Sequence, residues 1–280
     1  MRNLVSLLKD TYQEWRDDAG QRMGAALAYY TLFSLAPLLI LAIAIAGLVF
    51  GQKAAEGQII NQIRWVVGPR NAATIQNLLR SVHLNGHGRS VTVIGVITIV
   101  VGASGVLSEL KDSLNKIWHA PKVEGFYKII KDRFISLTMI LGIGFVMIVS
   151  LIINAAVAAM GEFLSGFLPA PAGLLQAGNL VASFIVITLL FALMFKALPD
   201  LPVRWRDVWV GAVVTSLLFT IGKFLLALYI GKSRIASPFG AAGSMVVVLV
   251  WVYYSAQIFY FGAEFTKIYA KHQGSYKTAA

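Results

Sequence analysis

Six stretches of this chain run for about twenty residues or more with almost no charge: about 24–50, 90–109, 134–160, 174–196, 208–231 and 242–264. A helix needs about 20 apolar residues, at 1.5 Å of rise each, to cross a hydrocarbon core of about 30 Å. Each stretch meets that length, and each lacks Asp, Glu, Lys and Arg over most of it. Nothing else in the sequence restricts the fold as strongly. In lipid every backbone amide must bond within its own segment, so the spans are helices. Only 13% of the 280 residues are charged and 58% are hydrophobic, too little polarity to cover a soluble domain of this size. The expected fold is all-α: one polytopic membrane domain over 1–280, with six transmembrane helices and short amphipathic interfacial helices.

The basic residues set the orientation. With the N-terminus inside, sixteen Lys and Arg fall in the first 22 residues, in the loops after spans two and four, and in the tail from 265 to 280. Seven fall outside, and Lys223 lies within span five. The positive-inside rule then places both termini in the cytoplasm. It also explains the net charge of +11 by contact with anionic lipid headgroups at that face, not by nucleic acid.

Residues 1–22 place Leu4, Leu8, Tyr12 and Trp15 on one stripe of an amphipathic helix at the membrane surface. The apolar run behind it is too long for a signal-peptide core and has no convincing cleavage site, so it is expected to remain as span one. Segment 52–89 is too polar to cross and reads as two short amphipathic helices on the outer face, broken at Gly68-Pro69. Another short helix is expected at 110–118, with Leu110, Leu114, Ile117 and Trp118 on one side. No internal repeat supports an inverted-repeat transporter.

Several segments then form a recognisable set. GAALAYYTLFSLAPLLIL at 24–41, Gly102-Ala103-Ser104-Gly105 leading into LSELKDSLNKIW, and Leu198-Pro199-Asp200 followed by Val203-Arg204-Trp205-Arg206-Asp207 resemble segments of the YihY/BrkB family. So does FGAAGSMVVVLVWVYYSAQIFYFGAEF, with its terminal Gly-Ala-Glu at 262–264. The resemblance runs over essentially the whole chain. It implies a six-span protein of the bacterial inner membrane, with proposals for the family leaning toward transport across, or maintenance of, the cell envelope. Members often carry the label ribonuclease BN.

The chemistry for a nuclease is missing from the residues. A zinc-type nuclease needs clustered His and Asp ligands, yet only His83 and His87 of the four histidines are close in sequence, with no carboxylate beside them. There is no cysteine, no P-loop and no Gly-x-Ser-x-Gly elbow. No enzyme, cofactor or metal site is expected, and the natural partners are membrane lipids, with a homo-oligomer compatible.

What remains are polar groups in spans, which cost free energy unless paired or used. Lys223, Tyr29, Tyr30, Ser34, Asn154 and Gln257 are the candidates for a substrate path. Glu109 and Glu264, expected at the inner ends of spans two and six, are the candidates for gating or coupling; the plainer reading of Glu264 is an interfacial helix-end carboxylate held by Lys267 or a neighbouring loop, and Glu109 is read alike. Lys223 reads either as a lysine snorkelling to headgroups or as a site for an anionic group. Gln257 and Asn154 are by default interhelical hydrogen bonds, and Tyr29, Tyr30 and Ser34 pack the bundle or line a cavity. Pro37 removes an amide and is expected to kink span one. The functional expectation is a transport or export component for a hydrophilic or amphipathic substrate, Lys223 favouring an anionic one. The alternative is a non-transporting envelope protein that handles lipid or scaffolds an assembly.

Overall fold

The computed structural model describes residues 4–34, 51, 56–57, 60–61, 76, 105–121, 172–232 and 243–273. Most of the expected spans one to three and of segment 52–89 lies outside these residues, as do Pro37, Asn154, His83 and His87. The described residues contain no strand. Their six principal helical segments are α1 (Leu4–Asp17), α2 (20–34), α3 (105–117), α4 (Ala172–Ala197), α5 (Trp205–Lys232) and α6 (Gly243–His272).

Three of these helices are long and apolar enough to cross a membrane, through Leu180–Ala197, Trp205–Leu226 and Met245–His272. Their outer faces leave Val181, Ile185, Leu189, Val213, Leu217, Ile221, Phe224 and Leu225 exposed. Water would not tolerate so continuous an apolar surface, and lipid supplies its natural solvent. The protein is a membrane protein, built from helices.

Apolar burial does little to hold such helices together, because lipid tails are as apolar as leucine; close backbone approach does more. The α5–α6 pair shows how. Thr266 of α6 sits where a Cβ of Gly211 on α5 would be, and Thr215 of α5 sits where a Cβ of Gly262 on α6 would be. Each threonine hydroxyl donates back to the glycine carbonyl one turn earlier on its own helix, Thr215 to Gly211 at 2.6 Å and Thr266 to Gly262 at 2.7 Å. The two Gly-x-x-x-Thr elements therefore interlock reciprocally in an antiparallel pair, with no hydroxyl left unbonded. Further along, Gly222 takes Tyr254 and Ile258 in the same manner. Helix α4 joins through rings: Phe195 stands 5.2 Å from Phe259, and Phe191 5.6 Å from Phe219.

Helix α6 continues to His272, eight residues beyond the end expected from its apolar run. Glu264 is thus inside a helix and not at its end. Lys267 and Lys271 continue the same helix; Lys267 pairs with Glu264 on it, and both lysines pair with acidic residues from the N-terminal segment. The expected stripe of α3 is its buried side: Leu110, Leu114, Ile117 and Trp118 all belong to the core. Helix α1 is turned the other way. Leu8 and Tyr12 of its apolar stripe are exposed, while Thr11 is fully buried and Glu14 and Asp18 face α6. A 14-residue helix is marginal alone; α1 is held by polar contacts and presents apolar side chains outward, the arrangement an interfacial helix requires.

Candidate functional site

At one end of the bundle the C-terminal half of α6 meets α1, α3 and the loop between α4 and α5. The order of α6 explains why. Gln257, Tyr260, Glu264, Lys267 and Lys271 recur at three- and four-residue spacing, so they form one polar stripe on an otherwise apolar helix. Its rise is about 21 Å. The stripe faces inward: Tyr260, Glu264 and Lys267 are each 0% exposed.

Lys267 is the centre. Its ammonium lies 2.7 Å from Glu14 Oε2, 2.8 Å from Glu264 Oε2 and 3.3 Å from Asp18 Oδ2. An ammonium has three hydrogens, and these three carboxylates use them all. Lys271 reaches Glu14 Oε1 at 3.3 Å, and His272 lies 3.7 Å from Asp10. Burial alone would raise the Glu14 carboxyl, but the hydrogen bond and charge of Lys267, backed by Lys271, outweigh it and hold its pKa below the ordinary 4.5. Fully buried charges are costly unless paired and bonded. Here the pairing is what binds α1 to α6.

Two backbone turns bring the remaining groups in. Among the described residues only Ala19 and His119 are non-glycine residues with positive φ, at 58° and 49°. Both end helices in left-handed caps. After α1, the Ala19 amide donates to the Arg16 carbonyl at 3.1 Å; after α3, the Ala120 amide donates to Asn115 at 2.8 Å. The first cap directs the chain from α1 into α2, where Gly20 leaves room for the Trp15 indole. The second places the His119 imidazole 3.8 Å from Asp18, and Lys116 donates to the Asp18 carbonyl. Such conformations cost free energy and concentrate at functional sites. Glu14, Asp18 and His119 bring ligand atoms within 4.8 Å of one another, but Lys267 already supplies the positive charge between the two carboxylates.

The α4–α5 loop is fastened to α3. Asp200 Oδ1 takes the Lys111 ammonium at 2.9 Å, Asn115 donates to Asp200 Oδ2 at 2.8 Å, and the Asp200 amide returns a bond to Asn115 Oδ1 at 2.8 Å. The segments LSELKDSLNKIW and Leu198-Pro199-Asp200, far apart in sequence, thus meet in space.

Of the residues singled out from the sequence, Glu264 and Gln257 are on the buried stripe. Gln257 packs against Gly24 of α2, and its amide nitrogen and oxygen have no hydrogen-bond partner among the described residues. Glu109 accepts from Ser113 at 3.4 Å, and both neighbour the Tyr260 hydroxyl. Ser34 is buried, beside Gly105 of α3. Tyr29 and Tyr30 are exposed, as is Lys223, which shares its surroundings on α5 with Ile221, Phe224 and Leu225. Pro37 and Asn154 lie outside the described residues. The sequence names Lys267 as the partner of Glu264, and the two lie 2.8 Å apart; that Glu14 and Asp18 join the same ammonium is not legible there. For the stripe itself the available signal was that Lys267 and Lys271 continue the spacing of Gln257, Tyr260 and Glu264.

The family described as Virulence factor BrkB matches residues 11–280. The chain belongs to the BrkB family. A UPF0761 membrane protein of Alkalilimnicola ehrlichii is 26% identical over 273 residues, which are 96% of this chain and 59% of the relative. A protein of Bacillus subtilis named as the ribonuclease-like protein YfkH is 23% identical over 96% of this chain and 97% of its own length. A UPF0761 membrane protein of Teredinibacter turnerae is 23% identical, with 61% of its length covered. This BrkB-family chain therefore spans about three fifths of some relatives and nearly all of another. No solved structure matches it. Of the family-like segments at this end, those in α3 and α6 supply Lys116 and Glu264 to the charged cluster, and the α4–α5 loop is fastened to α3.

Proposed function

We propose that this BrkB-family protein is a transport or export component of the bacterial cytoplasmic membrane, acting on a hydrophilic or amphipathic substrate. It is not an enzyme in this reading. The buried stripe of α6 borders the path, and the cluster centred on Lys267 closes its cytoplasmic end. The observation that carries the reading is the set of polar atoms above the cluster: the amide of Gln257 is buried without a hydrogen-bond partner among the described residues, and the buried hydroxyl of Tyr260 lies beside Ser113. A buried group left without any partner costs about 1–3 kcal/mol. A bundle that only scaffolded others would be more stable with leucine there; one that admits water and polar solutes needs them. The ion pairs of Glu14 and Asp18 with Lys267 join a surface helix to a spanning one, so their separation is the natural opening movement. Lys223, on the exposed face of α5, is read as a contact to anionic headgroups rather than as part of the path.

The absence of cysteine permits a test that needs no substrate. Gln257→Cys, the sole thiol, is treated in inside-out vesicles with a charged, membrane-impermeant methanethiosulfonate. Labelling is expected, and should accelerate at least several-fold when Glu14→Gln weakens the closure. A thiol that stays unreactive in both backgrounds means a dry bundle and selects the lipid-handling or scaffolding reading.

A further inference from the structure

We infer that the polar stripe of α6 is a proton relay, with Glu264 as its binding site and His119 and Asp18 as its connection to the aqueous face. The inference rests on the transport reading and names the ion coupled to it.

The first ground is charge. Glu14, Asp18, Glu264, Lys267 and Lys271 form one contact network with three acidic and two basic groups. Within these ion pairs the carboxylates outnumber the ammonium groups by one, which leaves one carboxylate to share a proton. Glu264 is the member to receive it, because it is fully buried and its Oε1 has no hydrogen-bond partner among the described residues, whereas Glu14 and Asp18 both retain contact with solvent. Lys267 keeps its own proton throughout, held by the carboxylates of α1.

The second ground is continuity. Asp18 lies beside Glu264 and shares Lys267 with it, and the half-exposed His119 imidazole is 3.8 Å from Asp18. On the inner side, Tyr260 stands one helical turn from Glu264, its hydroxyl buried beside Ser113. A phenol hydroxyl both donates and accepts, so it can pass a proton without changing its own charge. Beside it are Ser113 and Glu109 of α3, and one turn further along α6 is Gln257. The gaps lie at polar atoms without partners among the described residues, and buried water bridges groups of that kind. The charged groups facing this line are Glu14 and Asp18 from α1, Glu109, Asp112, Lys116 and His119 from α3 and its cap, and Lys267 and Lys271 from α6.

The test is infrared difference spectroscopy on the full chain in lipid nanodiscs during a pH titration, reading the C=O stretch of protonated carboxyl groups. The expected result is one titrating buried-carboxyl band that is lost in Glu264→Gln, retained in Glu14→Gln and shifted in Glu264→Asp. Tyr260→Phe should slow its hydrogen–deuterium exchange at least ten-fold while leaving the band in place. A titration with no band removed by Glu264→Gln overturns the proposal, as does an unchanged exchange rate in Tyr260→Phe. Should Glu264→Gln fail to fold, the shift in Glu264→Asp identifies the band instead, and no shift there is equally fatal. Because the readout is a proton and not a solute, a titrating Glu264 with an unreactive Gln257→Cys would end the transport reading alone. The converse pair of results would leave transport and remove the proton.

Discussion

Lys267 shows how little a residue type says about its placement. Lysine is seldom fully buried without partners, and here it is buried because three carboxylates surround it. Lys267→Met should cost about 3–5 kcal/mol, the usual penalty for stranding buried partners of opposite charge, seen as a lower melting temperature in detergent and earlier proteolysis of α1. Glu14 supplies a pH dependence of known sign. Its folded pKa lies below the ordinary 4.5, so its contribution is complete above that value and is lost as pH falls through the lower, folded one. Hydrogen exchange of α1, corrected for intrinsic rates, should rise over that acid range in the parent and vary less in Glu14→Gln. Ala19 offers a gain in stability instead. Its φ of 58° disfavours any side chain, and Ala19→Gly should stabilise the protein by about 1 kcal/mol. A melting temperature that drops instead would show that the cap is not strained.

Among elements, the α5–α6 pair is the most specific contact described. A Cβ on Gly211 would meet Thr266 Cβ at 2.8 Å, and one on Gly262 would meet Thr215 Cβ at 2.8 Å. Neither threonine can yield, because each is branched at Cβ and bonded to its own helix. Gly262→Val should therefore destabilise by about 1–3 kcal/mol through overpacking and should separate the helices measurably in a double spin-label distance experiment. Thr215→Val keeps the shape and removes only the hydroxyl, so it should be much milder. If the two were equally harmful, the hydroxyl would be the source of stability rather than the close approach. The role of α1 is different: it contributes charge to the bundle and an apolar face to its surroundings.

For the molecule as a whole, orientation is the quantity still to be measured, and the cysteine-free chain makes it direct. Asn85→Cys should react with an impermeant thiol reagent in intact spheroplasts. Val123→Cys and Ser275→Cys should react only once the membrane is opened. Labelling of Val123→Cys from outside would invert the topology and move the Lys267 cluster to the other face of the membrane.

Length, apolar runs and the absence of charge were enough to determine a helical membrane protein, because the cost of an unbonded amide in lipid leaves a chain few choices. The same local logic marked Leu110, Leu114, Ile117 and Trp118 as one face of a helix, while a resemblance of the segments at 24–41, 102–118, 198–207 and 239–265 pointed to one family. It singled out Glu264 and Gln257 because polar residues in apolar runs are conspicuous. It offered Lys267 as a partner for Glu264 but gave no sign that Glu14, Asp18 and His119, which stand in charged surroundings, join them. Only tertiary structure decided that these four meet, and that α6 runs on past Glu264 to carry Lys267 and Lys271. The physical reason is range: apolar periodicity is written within one helix, whereas the partner of a buried charge lies on another, about 250 residues away in the chain for Asp18 and Lys267.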